Sequence, residues 1–249
     1  MTDLQGKKAI ITGAASGFGA GIASYFVNCG AHVGVLDINQ DAAEAKAAEL
    51  GANAIALTAD ITCSQDIISA IDVFTAEIGA VDTLVNNAGV GHLPEDLEKI
   101  SEVDFDRIIS VNMKSVYLMS QHIVPRFKDQ GFGSILNIAS TAGVSPRPGL
   151  TWYNASKGWL ITATKSMAIE LAPHQIRVNA INPVAGDTPL LATFMGGDTQ
   201  QLRDKFISSI PLGRLSTGDD IGAAAAFLCS DAASLITGVA LEVDGGRCI

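Results

Sequence analysis

The stretch Ala9-Ile10-Ile11-Thr12-Gly13-Ala14-Ala15-Ser16-Gly17-Phe18-Gly19 decides how this chain folds. An apolar run behind the basic pair Lys7-Lys8 reads as a buried strand and stops at a glycine-rich turn. Glycine permits a tight turn and lets the backbone approach a ligand closely. Helical spacing over 19–29 begins directly behind the turn. The first N–H groups of such a helix lack intrahelical partners and carry partial positive charge. A strand, a glycine turn and a helix start in this order can therefore hold a pyrophosphate. Gly13, Ser16, Gly17, Phe18 and Gly19 are the candidate residues.

Working outward, strand-length apolar runs recur at 33–36, 54–57, 83–85, 134–138, 178–181 and 239–243. Helical spacing lies between them over 41–50, 64–78, 105–127, 155–171 and 219–229. Strand–helix alternation means βαβ units and a parallel sheet covered on both faces. Right-handed crossovers make that an α/β, doubly wound sheet of seven strands. Pro125 falls inside a helical pattern and is expected to kink or end it. The segment 188–210, with Gly196-Gly197 in its middle, breaks the rhythm as a long insert of the kind that forms lids. No linker, charge block or repeat divides residues 1–249, so one domain is expected.

Asp37 ends the second strand. A carboxylate there accepts hydrogen bonds from adenosine ribose hydroxyls and repels a 2′-phosphate. Ile38 follows it, and the glycine turn carries no Arg or Lys, so NAD is favoured over NADP. The competing reading of Asp37 is a turn-former before Asn39. The net charge of -10 argues against nucleic acid and membrane partners. The opening Met1-Thr2-Asp3-Leu4 has no basic segment followed by an apolar one, and no run is long enough to span a bilayer, so a cytoplasmic location is expected. Cys29, Cys63, Cys229 and Cys248 are scattered and read as unbridged, small buried or terminal residues. The four histidines show no ligand spacing, and no metal is expected.

With these motifs the chain resembles the short-chain dehydrogenase/reductase family over nearly its whole length. The resemblance rests on Thr12-Gly13-x-x-x-Gly17-x-Gly19, Asp60-Ile61, Asn86-Asn87-Ala88-Gly89, Asn112, Ser140, Tyr153-x-x-x-Lys157 and Asn182-Pro183. It implies a Rossmann-type fold and a homotetramer. It implies that Asp60 and Ile61 border the adenine, that Asn87, Ala88 and Gly89 line the cofactor cleft, and that the segment from Pro183 to Thr188 touches the carboxamide. That last segment departs from the family pattern: Val184 follows the proline, and a glycine comes only at Gly186.

Tyr153 and Lys157 are four apart, on one helix face. A free phenol is a poor base near neutrality, and a neighbouring ammonium favours the phenolate. The pair can thus exchange a proton with an alcohol or a ketone. The resemblance implies that Lys157 also binds the nicotinamide ribose. Ser140, at the end of the fifth strand, is placed to hydrogen-bond the reacting oxygen. Asn112, by the resemblance, holds a water that links the lysine to solvent. The reaction expected is hydride transfer between NAD(H) and a secondary alcohol or its ketone.

The substrate pocket is expected among Val144, Arg147, Trp152, Leu190, Leu191, Phe194 and Met195. Arg147, between Pro146 and Pro148, is either a solvated loop arginine or a partner for a substrate carboxylate or sulfonate. Val116, Leu118, Met119, Trp159, Leu160 and Ile161 make two helices apolar on more than one side, as in a deep core or a subunit interface. Two alternatives stand beside the main reading. One is a 3-oxoacyl-thioester reductase, disfavoured by Asp37 because such reductases commonly use NADPH. The other is a non-catalytic NAD(H)-binding sensor, disfavoured by the complete Ser140, Tyr153 and Lys157 set.

Overall fold

The computed structural model describes residues 3–249; Met1 and Thr2, which open the stretch read as lacking a secretory signal, lie outside the described residues. In chain order the elements are β1 (Lys8–Thr12), α1 (Gly17–Asn28), β2 (His32–Asp37), α2 (Gln40–Leu50), β3 (Ala54–Thr58), α3 (Ser64–Glu77) and β4 (Thr83–Asn86). Then come α4 (Glu102–Ile109), α5 (Ser115–Gln130), β5 (Gly133–Ile138), α6 (Thr151–Leu171) and β6 (Ile176–Pro183). The chain ends through α7 (Pro189–Met195), α8 (Gln200–Ile207), α9 (Gly218–Cys229) and β7 (Ala240–Val243).

The strands form one seven-stranded sheet in the order β3-β2-β1-β4-β5-β6-β7. Every neighbouring pair is parallel. Strands buried on both faces need near-continuous apolar runs, as Ala9-Ile10-Ile11 and Ile135-Leu136 provide. Ile11, Val33, Val35 and Val85 pack with Ile22, Ala43 and Ala226 of α1, α2 and α9 on one face. Ile10, Leu36, Leu84 and Ile135 pack with Ile71, Phe127 and Ala168 of α3, α5 and α6 on the other. The Rossmann-type doubly wound architecture is therefore present. Its strand order reverses between β1 and β4, and a crevice opens there at the carboxyl ends of the strands.

Two helix expectations need correction. The pattern over 105–127 is not one regular helix: α4 and α5 are joined by a π-helical turn, Ser110–Lys114, which contains Asn112. Hydrophobic spacing cannot reveal such a turn, because one extra residue shifts the pattern only locally. Nor does Pro125 end its helix, which runs on to Gln130. Pro125 is exposed while Ile123 and Phe127 are buried, so core packing holds the helix on both sides and the freed carbonyl meets solvent. The cysteine reading also needs one change, since Cys63 is exposed. The insert holds two short helices, α7 and α8, separated at Gly196, whose φ of 71° ends α7.

Helices α1 and α9 meet at backbone distance. A Cβ on Gly21 would lie 2.3 Å from Gly218 Cα, whereas one on Gly158 would meet nothing nearer than 3.7 Å. Gly21→Ala is expected to cost about 1–3 kcal/mol through overpacking. Gly158→Ala is expected to leave stability nearly unchanged. Thermal melting of the two variants side by side checks the difference.

Candidate active site and cofactor cleft

The glycine turn is clipped to the neighbouring strand across the point where strand order reverses. Thr12 Oγ1 accepts hydrogen bonds from the backbone N–H groups of Asn87 and Ala88, each at 3.0 Å. The Asn87 amide returns the contact by donating to Thr12 O at 2.8 Å and Gly13 O at 3.1 Å. Gly13 and Gly17 have φ of 62° and 54°, the left-handed region that favours glycine. A Cβ on Gly19 would lie 2.1 Å from Gly13 O, so Gly19 serves the close packing of turn and helix and does not line the cleft. Ser16 caps α1 with no side-chain hydrogen bond, and the first turn of α1 holds no acidic residue. By contrast, α2, α3, α4 and α9 each carry an acid there. The start of α1 therefore keeps free N–H groups and uncompensated positive charge beside the glycine turn.

A cavity of about 580 Å³ runs along this crevice. Gly13, Ser16, Gly17, Phe18, Asp37, Ile38, Asp60 and Ile61 line one end. Asn87, Ala88, Gly89, Pro183, Gly186 and Thr188 line its middle, and Ser140, Tyr153 and Lys157 its inner wall. Asp37 makes the turn contact of one reading and lines the cavity as the other requires. Its Oδ1 accepts from Asn39 N at 3.1 Å, as a turn-former does, and its Oδ2 accepts from Ala15 N at 3.2 Å, which ties the carboxylate to the glycine turn. Asp60 Oδ1 is taken up by the Thr62 N–H and hydroxyl at 2.8 and 2.7 Å. Val184 continues the line of β6, with its N–H donating to Val243 O at 3.3 Å. Gly186 lies against Phe18, where a Cβ would sit 2.2 Å from Phe18 Cζ. The displaced glycine thus makes room for an aromatic ring of the phosphate turn.

The residues expected to handle the proton come from three elements. Tyr153 and Lys157 are both buried on α6. Lys157 Nζ donates to Ile138 O at 2.8 Å and lies 5.9 Å from the Tyr153 ring centre. Ser140 Oγ accepts from Ala142 N at 3.0 Å, which leaves its own proton free to donate into the cavity. Asn112 does not line the cavity. Its side chain is consumed by Val90, accepting from Val90 N at 2.8 Å and donating to Val90 O at 2.9 Å, and by Ser156 Oγ at 3.1 Å.

Burial sets the electrostatics of the pair. Burial pushes the Tyr153 phenol up to about 12, against smaller opposing pulls from Ser140 and Arg147. Burial also pushes the Lys157 amine down to about 8. In the protein by itself burial outweighs the opposing pulls on the phenol, which stays protonated near neutrality.

The substrate end differs in part from expectation. Arg147, Leu190, Leu191 and Phe194 line the cavity, together with Leu150 and Phe206, which the sequence pattern did not single out. Val144 is exposed, Met195 is buried in packing, and Trp152 stands edge-on to Phe105 at 5.3 Å, so these three are not in the lining. The Phe194 ring covers Tyr153 at 4.7 Å between centres. Phe206 lies some sixty residues from Arg147, and no short-range pattern joins them. Among the described residues no group of three or more His, Cys, Asp or Glu is arranged to hold a metal, and no helix is long and apolar enough to cross a membrane.

These features have counterparts in known proteins. A family model described as enoyl-(acyl carrier protein) reductase matches residues 13–247. The chain is 46% identical to 4-formylbenzenesulfonate dehydrogenase of Comamonas testosteroni, over 98% of this chain and 99% of that protein. It is 38% identical to D-threitol dehydrogenase of Mycolicibacterium smegmatis, over 99% of this chain and 94% of that protein. The crystal structure of 3-ketoacyl-(acyl-carrier-protein) reductase from Brucella melitensis complexed with NADH superposes with a TM-score of 0.95 at 52% identity, covering 99% of this chain and all of that one. The chain belongs to the short-chain dehydrogenase/reductase family. It is an oxidoreductase.

The buried lysine generates a prediction about stability. A base whose folded pKa is depressed binds fewer protons folded than unfolded between the two values, so stability rises with pH across that window. For Lys157 the window opens at about 8. Relative to Lys157→Met, the wild-type protein is expected to gain stability from pH 8 to 9.5 and to keep a constant deficit below pH 8. Denaturant unfolding of both proteins across pH 6.5–9.5 measures it.

Proposed function

We propose that the protein interconverts a secondary alcohol and its ketone with NAD(H), Tyr153 exchanging the proton with the substrate oxygen. The observation that carries this reading is the convergence of Ser140, Tyr153 and Lys157 on one wall of a cavity whose other end is the glycine turn with Asp37. The residues present fit a dinucleotide: close-approach glycines, a free helix start and a carboxylate at the end of β2. Gly13, Ser16, Gly17 and Phe18 would face the pyrophosphate, Asp37 and Ile38 the adenosine ribose, and Asp60 and Ile61 the adenine. Asn87, Ala88, Gly89, Pro183, Gly186 and Thr188 would line the nicotinamide half. When bound, the nicotinamide supplies the acceptor or donor of the hydride.

The chain's own residues manage the proton and the position. Ser140 Oγ donates to the substrate oxygen and holds it beside Tyr153 Oη. In reduction the neutral phenol, the form that burial favours, gives its proton to the carbonyl oxygen. In oxidation the phenolate removes the hydroxyl proton. Lys157, anchored on Ile138 O, stabilises that phenolate and orients the nicotinamide ribose. Asn112 works through the backbone: its side chain holds Val90 and Ser156, and with them the π-helical turn behind Lys157. Any water relayed to Lys157 from this turn rests on main-chain carbonyls, since the Asn112 amide is engaged.

Residues 1–249 act as one domain, and the insert at 188–210 is its lid, with Leu190, Leu191, Phe194 and Phe206 closing over the substrate. A homotetramer and a cytoplasmic location complete the reading. Exposed Tyr117 on α5 and Trp159 and Ile169 on α6 are apolar surface that subunit contacts would cover. A second reading, reduction of a 3-oxoacyl thioester, is favoured by the name of the Brucella melitensis structure.

Tyr153→Phe is expected to lower turnover by about 10²–10⁴-fold, with NADH binding, read by fluorescence titration, retained within threefold. Loss of NADH binding in step with turnover would count against the role. Asp37→Ala is expected to raise kcat/KM with NADP relative to NAD by at least tenfold, measured by initial rates. Acetoacetyl-coenzyme A reduction faster than oxidation of every secondary alcohol in a panel would favour the thioester reading. Light scattering at micromolar concentration is expected to give the mass of four chains.

A further inference from the structure

Arg147 is a cation of the substrate end, and it differs from the paired arginines of this chain. Arg126, Arg203 and Arg214 each pair closely with an aspartate, and Arg177 is held by the carbonyls of Leu228, Ser230 and Ile236. Among the described residues the Arg147 guanidinium pairs with no carboxylate and donates no hydrogen bond, although it lines the cavity that holds Tyr153. It is nonetheless fixed. Its backbone carbonyl accepts from Asn154 Nδ2 at 2.8 Å, prolines flank it on both sides, and its Cζ stacks 4.5 Å above the centre of the Phe206 ring. Stacking covers a face of the guanidinium and leaves its edge, with parallel N–H groups, free for a bidentate acceptor.

A second guanidinium adjoins it. Arg247, in the segment after β7, reaches Ser145 Oγ at 3.4 Å, and its Nε is buried without a partner. The two positive charges act on each other, which together with burial lowers the Arg147 pKa. Two neighbouring guanidinium groups, one making no ion pair among the described residues and the other with a buried, partnerless Nε, carry an electrostatic cost that no hydrogen bond at these atoms offsets. An anion in the cavity would offset it. The remaining wall there is apolar, made by Leu150, Leu191, Phe194 and Phe206, and suits a ring.

We propose that Arg147, backed by Arg247, is a specificity-determining anion anchor, and that the substrate is a ring-bearing alcohol, or its ketone, with a carboxylate or sulfonate. The proposal rests on the oxidoreductase reading for its reaction, but the anion site stands or falls by binding alone.

The first arm is calorimetric binding of benzoate and of its neutral isostere benzamide to the protein saturated with NADH. Wild-type protein is expected to bind benzoate at least tenfold more tightly, with the preference shrinking as salt is raised from 50 to 300 mM. Arg147→Met is expected to abolish the preference, Arg147→Lys to retain part of it, and Arg247→Met to reduce it two- to fivefold. The second arm is NAD-dependent oxidation of 4-(1-hydroxyethyl)benzoate and its primary amide. The acid is expected to be preferred at least tenfold in kcat/KM through KM, and the ratio to fall to near one in Arg147→Met. Equal handling of acid and amide by the wild-type protein in both arms overturns the anchor, and needs no variant to fold. So does a ratio that Arg147→Met leaves unchanged. If benzoate binding depends on Arg147 but neither alcohol is oxidised, the anchor is upheld and the alcohol-oxidation reading fails.

Discussion

The hydrogen bond from Lys157 Nζ to Ile138 O sets the active end of this molecule. It takes an ammonium out of water and ties it to the end of β5, which fixes how far α6 slides along the sheet. Further back the register is set again by a buried polar ladder. Asn86 donates to Asn137, and Asn137 donates to Thr164 on α6, each at 2.9 Å. With α6 held at two levels, Tyr153 one turn before Lys157 can only lie beside Ser140. The arrangement is electrostatically expensive, since burial lowers the lysine's pKa and raises the tyrosine's. Burying these two titratable groups costs stability that a purely apolar wall would have kept.

The same economy of space governs the other end of the cleft. Where strand order reverses, β1 and β4 leave a gap that loops alone would not hold to shape. Thr12 and Asn87 clamp the two loops to each other through backbone groups, so the glycine turn is presented in a defined conformation. Glycine is needed where backbone passes backbone: at Gly19 against Gly13 O, and at Gly186 against the Phe18 ring. Val184 prolongs the line of β6, and the close approach to the Phe18 ring falls two residues further on, at Gly186.

Much of this was legible in the amino-acid order. All seven strands fall where apolar runs lie, because strands of a covered parallel sheet are near-continuously apolar, and that needs no knowledge of their neighbours. The dinucleotide turn was legible because its elements are contiguous, and Tyr153 and Lys157 because helical spacing places residues four apart on one face. The failures share another cause. The π-helical turn at Asn112 answers to Val90 and Ser156, residues 22 and 44 positions away. Phe206 could not be matched to Arg147, nor Trp152 removed from the cavity, without knowing where α8 and α4 pack.

By itself, then, the sequence determined the α/β fold, the glycine turn at one end of the cleft and the pairing of Tyr153 with Lys157 on one helix face. Each of these is encoded in local spacing or in the hydrophobic content of a single element. Only the tertiary structure decided how those residues are charged and what the substrate end offers. Protonation depends on desolvation, which is the sum of everything packed around a group. The free edge of Arg147 depends on which acids the fold leaves distant from it. Both are properties of the assembled interior, and no stretch of chain contains them.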